Sequence, residues 1–368
     1  MRPENARLAR LRGTIEPVDV GARGIESVAR NVECLRLRAL VTSGVTPTVA
    51  IAKIFGGVPD AMSPFAMVLS QNFERRLLAN AGGSILTAYR EKGLLTQGEA
   101  KIFSIADVAI GNSQVARLRR EQETQRLIAL KLAGSPLAPN LILKPQLPFE
   151  LVGVTHAVEL DYLVAADNDP IYRAGVIKSY ADRGGKTDRS DIRSACREAS
   201  VGTIALRQLL GATGADPELA GGRVDLILRA PGSFTPRLFA AMQASSELAS
   251  LRRALTSAPS DLDGIEDLLP DGASLADPSA LEQLPNRYRS SCKEHCALWE
   301  RCRAQAHADG LPVVLGDQAA ELLASAGTLD RVYELLEGGG RPPENPAEAT
   351  LVEEMRQAAL MLERIANG

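Results

Sequence analysis

Near residue 148 the spacing of apolar residues changes from helical to alternating, and this change limits the fold more than any other feature of the chain. From there ELVGV, HAVELDYLVAA and IYRAGVIKSY read as three strands. Asp167-Asn168-Asp169-Pro170 is turn chemistry, so the last two strands are expected to form a hairpin. A helix is expected over residues 190–210, capped by Asp188 or Ser190 and followed by Gly211. VDLILRA reads as a further strand, and residues 236–255 as a helix ending in Arg252 and Arg253. Strand–strand–strand–helix–strand–helix is a mixed α/β layout.

The flanks read differently. Ser63-Pro64 is a helix start, and Phe65, Leu69, Phe73 and Leu77 then follow at helical spacing. A second helical region carries Ala116, Leu118, Leu127 and Leu130, with Arg117, Arg119, Arg120 and Arg126 as a solvated face. Residues 256–286, rich in Asp, Pro, Ser and Gly, read as a surface excursion or linker. Residues 311–336 and 347–367 read as helical, parted by GGGRPPENP. The expected organisation is a helical region over 1–140 carrying Cys34, a core over 141–260, a linker with the cysteine cluster over 261–310, and a helical region over 311–368.

A chain of 368 residues with 45% apolar residues can bury a real core, although only 4% are aromatic. No apolar run approaches the roughly 18 residues of a membrane span, and MRPENARLARLRG has no apolar signal segment. A cytoplasmic protein with no membrane partner is the expectation. The net charge of −3 gives no global basic field, yet a locally basic channel is compatible with it.

Five cysteines in such a chain point to metal or free thiols rather than disulfides. Cys292, Cys296 and Cys302 follow one another as C-x3-C-x5-C in YRSSCKEHCALWERC, close enough for one short loop to wrap a soft metal centre. Cys34 could supply a fourth thiolate for a [4Fe–4S] cluster; His295 or His307 would suit zinc instead. Spacing leaves both open. Cys196 falls on the core helix with Ile192 and Ala199 and reads as an ordinary buried thiol.

Side chains alternate along a strand, so Glu159 and Asp161 are expected on one face, and Val176 and Lys178 on one face of the next strand. Carboxylates beside a lysine across a hairpin could hold Mg²⁺ and orient water at a phosphate. Gly184-Gly185-Lys186-Thr187 lacks the first glycine of a phosphate loop, which would fall on Tyr180, and reads as the turn before the core helix. His156, at a strand start, and Trp299, inside the cysteine loop, read as structural.

DYLVAADNDPIYRAGVIKSYADRGGKTD, the helix after it and the late cysteine triplet together resemble the RecB-like nuclease domains of the PD-(D/E)XK superfamily. The resemblance is to the iron–sulfur type, including CRISPR-associated relatives, and covers residues 145–305 plus Cys34. It implies a restriction-endonuclease-like mixed sheet flanked by helices, with helical additions at both ends and a metal-cluster staple. It also implies a [4Fe–4S] cluster on Cys34, Cys292, Cys296 and Cys302, and Mg²⁺- or Mn²⁺-dependent hydrolysis of DNA. Protein partners in a defence or repair assembly would go with that role. Asp161 would be the metal-binding aspartate and Lys178 the motif lysine. Val176 stands where the family has glutamate, and Glu198 and Gly202 stand where it has Gln and Tyr. The triplet carries one extra residue in its first gap, and the upstream helix has Gln71 and Glu74 but no histidine. Two readings of the valine follow. Either the site is catalytically dead and the protein is a binding module, or Glu198 supplies the missing carboxylate beside Asp161, with Glu159 in reserve.

Overall fold

In the computed structural model, residues 5–59, 64–96, 100–111, 113–167, 169–182, 187–337 and 340–366 are described. The expected cap Ser63, the turn residue Asn168 and the segment 183–186 lie outside them. The chain divides into two compact units, Met1–Leu284 and Pro285–Gly368.

The first unit opens with four short helices, α1 (Ala6–Arg12), α2 (Gly21–Arg30), α3 (Leu35–Thr42) and α4 (Pro47–Lys53). Next comes α5 (Pro64–Glu91), which is not one continuous helix. Residues 79–82 leave helical geometry, with Asn80, Ala81 and Gly82 all at positive φ. The chain continues through β1 (Ile102–Ser104), α6 (Gln114–Leu132), β2 (Leu141–Leu143), β3 (Gln146–Leu151), β4 (Val154–Glu159), β5 (Tyr162–Val164) and β6 (Arg173–Ala181). It then forms α7 (Arg189–Ala212), β7 (Arg223–Arg229), β8 (Pro236–Gln243), α8 (Ser245–Leu268) and α9 (Pro278–Gln283).

Among the described residues, one six-stranded mixed sheet runs β1-β2-β5-β6-β7-β8, and β3 and β4 form a separate two-stranded sheet. β5 and β6 are antiparallel, with Tyr162 opposite Gly175. β6 and β7 are parallel, because α7 carries the chain back between them. β7, inside the sheet between β6 and the edge strand β8, reads VDLILR and is nearly all buried, as a strand covered on both faces must be. One face packs on α5 through Phe73, Leu77, Ile85, Tyr89, Tyr162 and Ile227. The other meets α7, where Val176, Val224 and Leu226 contact the small residues Ala195, Cys196 and Ala199.

Glycine permits close approach at two places. A Cβ on Gly175 would stand 2.1 Å from the Tyr162 ring, and one on Gly202 would stand 2.5 Å from Leu160. The Tyr162 ring therefore lies across bare β6 backbone. At Gly202 the space that a side chain would need is taken by Leu160.

Several expectations are corrected. ELVGV is not one strand: Val152 and Gly153, both at positive φ, turn the chain between β3 and β4. The long second strand splits in two at Leu160–Asp161 and serves both sheets. β1 and β2, each three residues, are too short for alternation to reveal. Residues 236–243 form a strand rather than the start of a helix; pairing with β7 overrides their helical propensity. The stretch read as linker contains the second half of α8, where Leu262 and Ile265 are buried, and all of α9.

The second unit contains the one-turn α10 (Cys292–His295), then α11 (Trp299–Ala308), α12 (Asp317–Leu322), α13 (Leu329–Leu336) and α14 (Pro346–Ala366). Leu323, Ala326, Val332, Leu335 and Leu351 make its small core. Arg331, buried, is held by both carboxylate oxygens of Glu348 at 3.1 and 2.8 Å. Among the described residues, no helix is long and apolar enough to cross a membrane.

Candidate active site

At one end of the first unit's sheet, five charged side chains arrive from five different segments. Asp161 sits in the gap between β4 and β5, where the chain crosses from one sheet to the other. One carboxylate oxygen accepts the Ile177 backbone N–H at 2.7 Å; the other accepts from Lys144 Nζ at 3.0 Å. Lys144 follows β2 at φ 50°, a left-handed conformation that a lysine adopts only when its surroundings hold it there. Its ammonium also meets Glu74 of α5 at 2.5 Å. Across the neighbouring strand, Lys178 Nζ donates to Glu198 Oε2 of α7 at 2.6 Å.

Lys144, Asp161, Lys178 and Glu198 keep between 19% and 22% of their side-chain surface, so the cluster is desolvated yet still open to a ligand. Burial works against the charge on Lys178; attraction to Glu198, and then to Asp161, overcomes it and holds the ammonium above its ordinary range. Lys144 is raised in the same way, with Asp161 and Glu74 outweighing burial. Both lysines are therefore cations at neutral pH. They can neutralise a developing negative charge and cannot act as bases there.

The structure thus brings Lys178 and Glu198 into contact and puts Asp161 within electrostatic reach of the same lysine. Glu159 goes elsewhere. It ends β4, exposed and opposite Gln146 in the two-stranded sheet, so it does not share a strand face with Asp161. Val176 is 1% exposed among Ala195, Cys196, Ala199, Val224 and Leu226. Lys144 is a residue that sequence reasoning missed, and Glu74 was noted there without a role. Glu74 stood in the upstream helix already singled out, whereas Lys144, one residue before a proline, carried no signal.

Of the cysteines, Cys34 is buried at the N-cap of α3 in the first unit, and its thiol makes no capping hydrogen bond. In the second unit, Cys292 opens α10, Cys296 caps it and Cys302 lies on α11. Burial raises the Tyr288 phenol, and Arg303 opposes the shift. Cys196 is buried on α7, and desolvation pushes its thiol up to about 11, as befits an inert core residue. Among the described residues, no group of three or more His, Cys, Asp or Glu side chains is gathered to hold a metal ion.

No family model matches the chain, and no curated protein matches it. Solved structures similar to it include that of SSO0001, at 14% identity, covering 60% of this chain and 95% of that one with a TM-score of 0.22.

Proposed function

We propose that the chain is a nuclease-fold protein of the PD-(D/E)XK kind acting on DNA, with Glu198 serving in place of the missing strand glutamate. The contact between Lys178 and Glu198 at 2.6 Å carries this reading, because a carboxylate that has moved to the helix must reach the motif lysine. Asp161 on the neighbouring segment and Lys178 on β6 follow the order in which the resemblance lays out the site. The charges agree. Three carboxylates against two ammonium groups leave one net negative charge, which repels a phosphodiester until a divalent cation reverses the sign. Carboxylate oxygens are hard donors suited to Mg²⁺ or Mn²⁺, and Asp161 and Glu198 are the residues that would hold the ion. Such an ion supplies charge neutralisation and an activated water. Lys178 steadies charge on the phosphate oxygens, and Lys144 positions Asp161.

Full-length protein with Mn²⁺ should cleave DNA, and Lys178→Ala and Glu198→Ala should each lower the rate by at least about 100-fold. Absence of cleavage with either metal, or equal rates in Lys178→Ala and wild type, would remove the enzymatic claim. The apolar surroundings of Val176 favour a second reading, a non-catalytic module that grips DNA or a partner protein. Its signature is DNA affinity that falls with added salt and no cleavage.

The cysteine segment belongs to the same proposal. Thiolates on Cys292, Cys296 and Cys302 are soft donors, two of them buried, and with Cys34 they would ligate a [4Fe–4S] cluster that staples the chain. Anaerobically purified protein should be brown and contain about four irons per chain. Colourless protein with stoichiometric zinc would replace the cluster with a zinc staple, and Cys34→Ser would then leave the metal content unchanged.

A further inference from the structure

The second unit contains a cleft of about 550 Å³ that the site above does not use. Its lining includes the segment Arg287-Tyr288-Arg289 and, from α12, Asp317 and Glu321. The apolar Pro312 and Val313 also line it. This volume falls within the roughly 300–1,000 Å³ of small-ligand sites.

The chemistry of the lining is polarised. Arg287 and Arg289, on either side of Tyr288 in the sequence, bring two guanidinium groups and an aromatic ring to the lining. Arg287 and Arg289 both have interaction partners in the chain, and a guanidinium presents five N–H donors in a fixed fork. Asp317 and Glu321 add exposed carboxylates. Asp317 is fixed there by Ser290, whose backbone N–H and hydroxyl both donate to Oδ1, at 2.9 and 3.3 Å. That contact ties the residue after Arg289 to α12.

A nucleotide has the complementary polarity. Its phosphate suits guanidinium groups, its base stacks on an aromatic ring, and an exocyclic amino group donates to a carboxylate. We propose that this cleft receives one nucleotide of a single-stranded nucleic acid, with the phosphate at Arg287 and Arg289, the base on Tyr288 and an amino-bearing edge toward Asp317 and Glu321. Adenine, cytosine and guanine carry that amino group and thymine does not, so the cleft discriminates against thymine. The source of the nucleotide as DNA rests on the reading of the first unit's site; the chemistry of the cleft does not.

The test is fluorescence anisotropy of full-length protein with short labelled oligo(dA), oligo(dC) and oligo(dT), alongside equilibrium dialysis of free dAMP. Oligo(dA) and oligo(dC) should bind more tightly than oligo(dT). Tyr288→Ala should weaken binding about five- to a hundredfold, whereas Tyr288→Phe, which keeps the stacking face, should stay within about twofold of wild type. Arg287→Ala should lower the slope of log affinity against log salt by about one. Equal affinity in Tyr288→Ala and wild type, with unchanged thermal melting, overturns the inference and leaves the nuclease reading standing. Tyr288-dependent binding of dAMP without binding of any oligonucleotide overturns the inference that a nucleic-acid strand enters the cleft. Binding of neither ligand overturns the inference, while the cleavage assay decides the nuclease reading separately.

Discussion

Asp225→Ala should lower the unfolding free energy by about 3–5 kcal/mol, the usual cost of breaking a buried charge network at one partner. Asp225 is fully buried on β7, opposite Gly175 of β6. Tyr89 Oη donates to it at 2.5 Å, Arg173 Nε and Nη2 at 3.2 Å, and the Ala241 backbone N–H at 2.5 Å. Ala241 is at φ 53°, where the β7–β8 register shifts, and without the carboxylate the N–H of this bulge has lost its acceptor. Arg173 would keep Asp169 only. The carboxylate is therefore the common acceptor that ties α5, β6 and β8 to β7. Urea denaturation measures the effect, with Asp225→Asn, which keeps the shape and one acceptor, losing less. A loss below about 1 kcal/mol would show that the network contributes little to stability.

Val176→Glu, the substitution that would supply the strand glutamate implied by the PD-(D/E)XK resemblance, should destabilise the protein by about 3–5 kcal/mol and yield no gain in cleavage. The side chain is enclosed by Ala195, Cys196, Ala199, Val224 and Leu226. A carboxyl group there must either stay charged in an apolar pocket or remain protonated at neutral pH, and each course is costly. The extra volume adds strain against α7, whose alanines pack close to the strand. Lys178, the nearest cation on the same strand face, is already engaged by Glu198. Thermal melting and a DNA cleavage assay together decide the matter. An unchanged melting temperature, or a rise in activity, would mean that the valine pocket can open to solvent.

The pattern of residues 148–229 conveyed the mixed α/β class because strand and helix periods are local properties of side-chain spacing. The same logic identified α7 and offered Asp188 or Ser190 as its cap; Asp188 is the cap and accepts the Ser190 N–H. It failed where length or propensity misled. β1 and β2 are three residues each, and the Ala-rich β8 is a strand because β7 offers it a partner and Asp225 accepts its bulge N–H. The interruption of α5 at 79–82 likewise has a tertiary cause, since Gly82 lies against Leu143 and Leu141.

The candidate site divides along the same line. Asp161, Lys178 and Glu198 could be named in advance, because each falls at a position the resemblance marks or beside it. That Glu198 reaches Lys178 at 2.6 Å, that Glu159 turns away into another sheet, and that Glu74 and Lys144 join Asp161 could not be named. The sequence by itself determined which segments are strands and helices over the core, and which residue types are available for chemistry. Only the tertiary structure decided which charges meet, because an ion pair depends on distance in space, and residues 74, 144 and 161 are brought together by strand pairing and helix packing rather than by any local period.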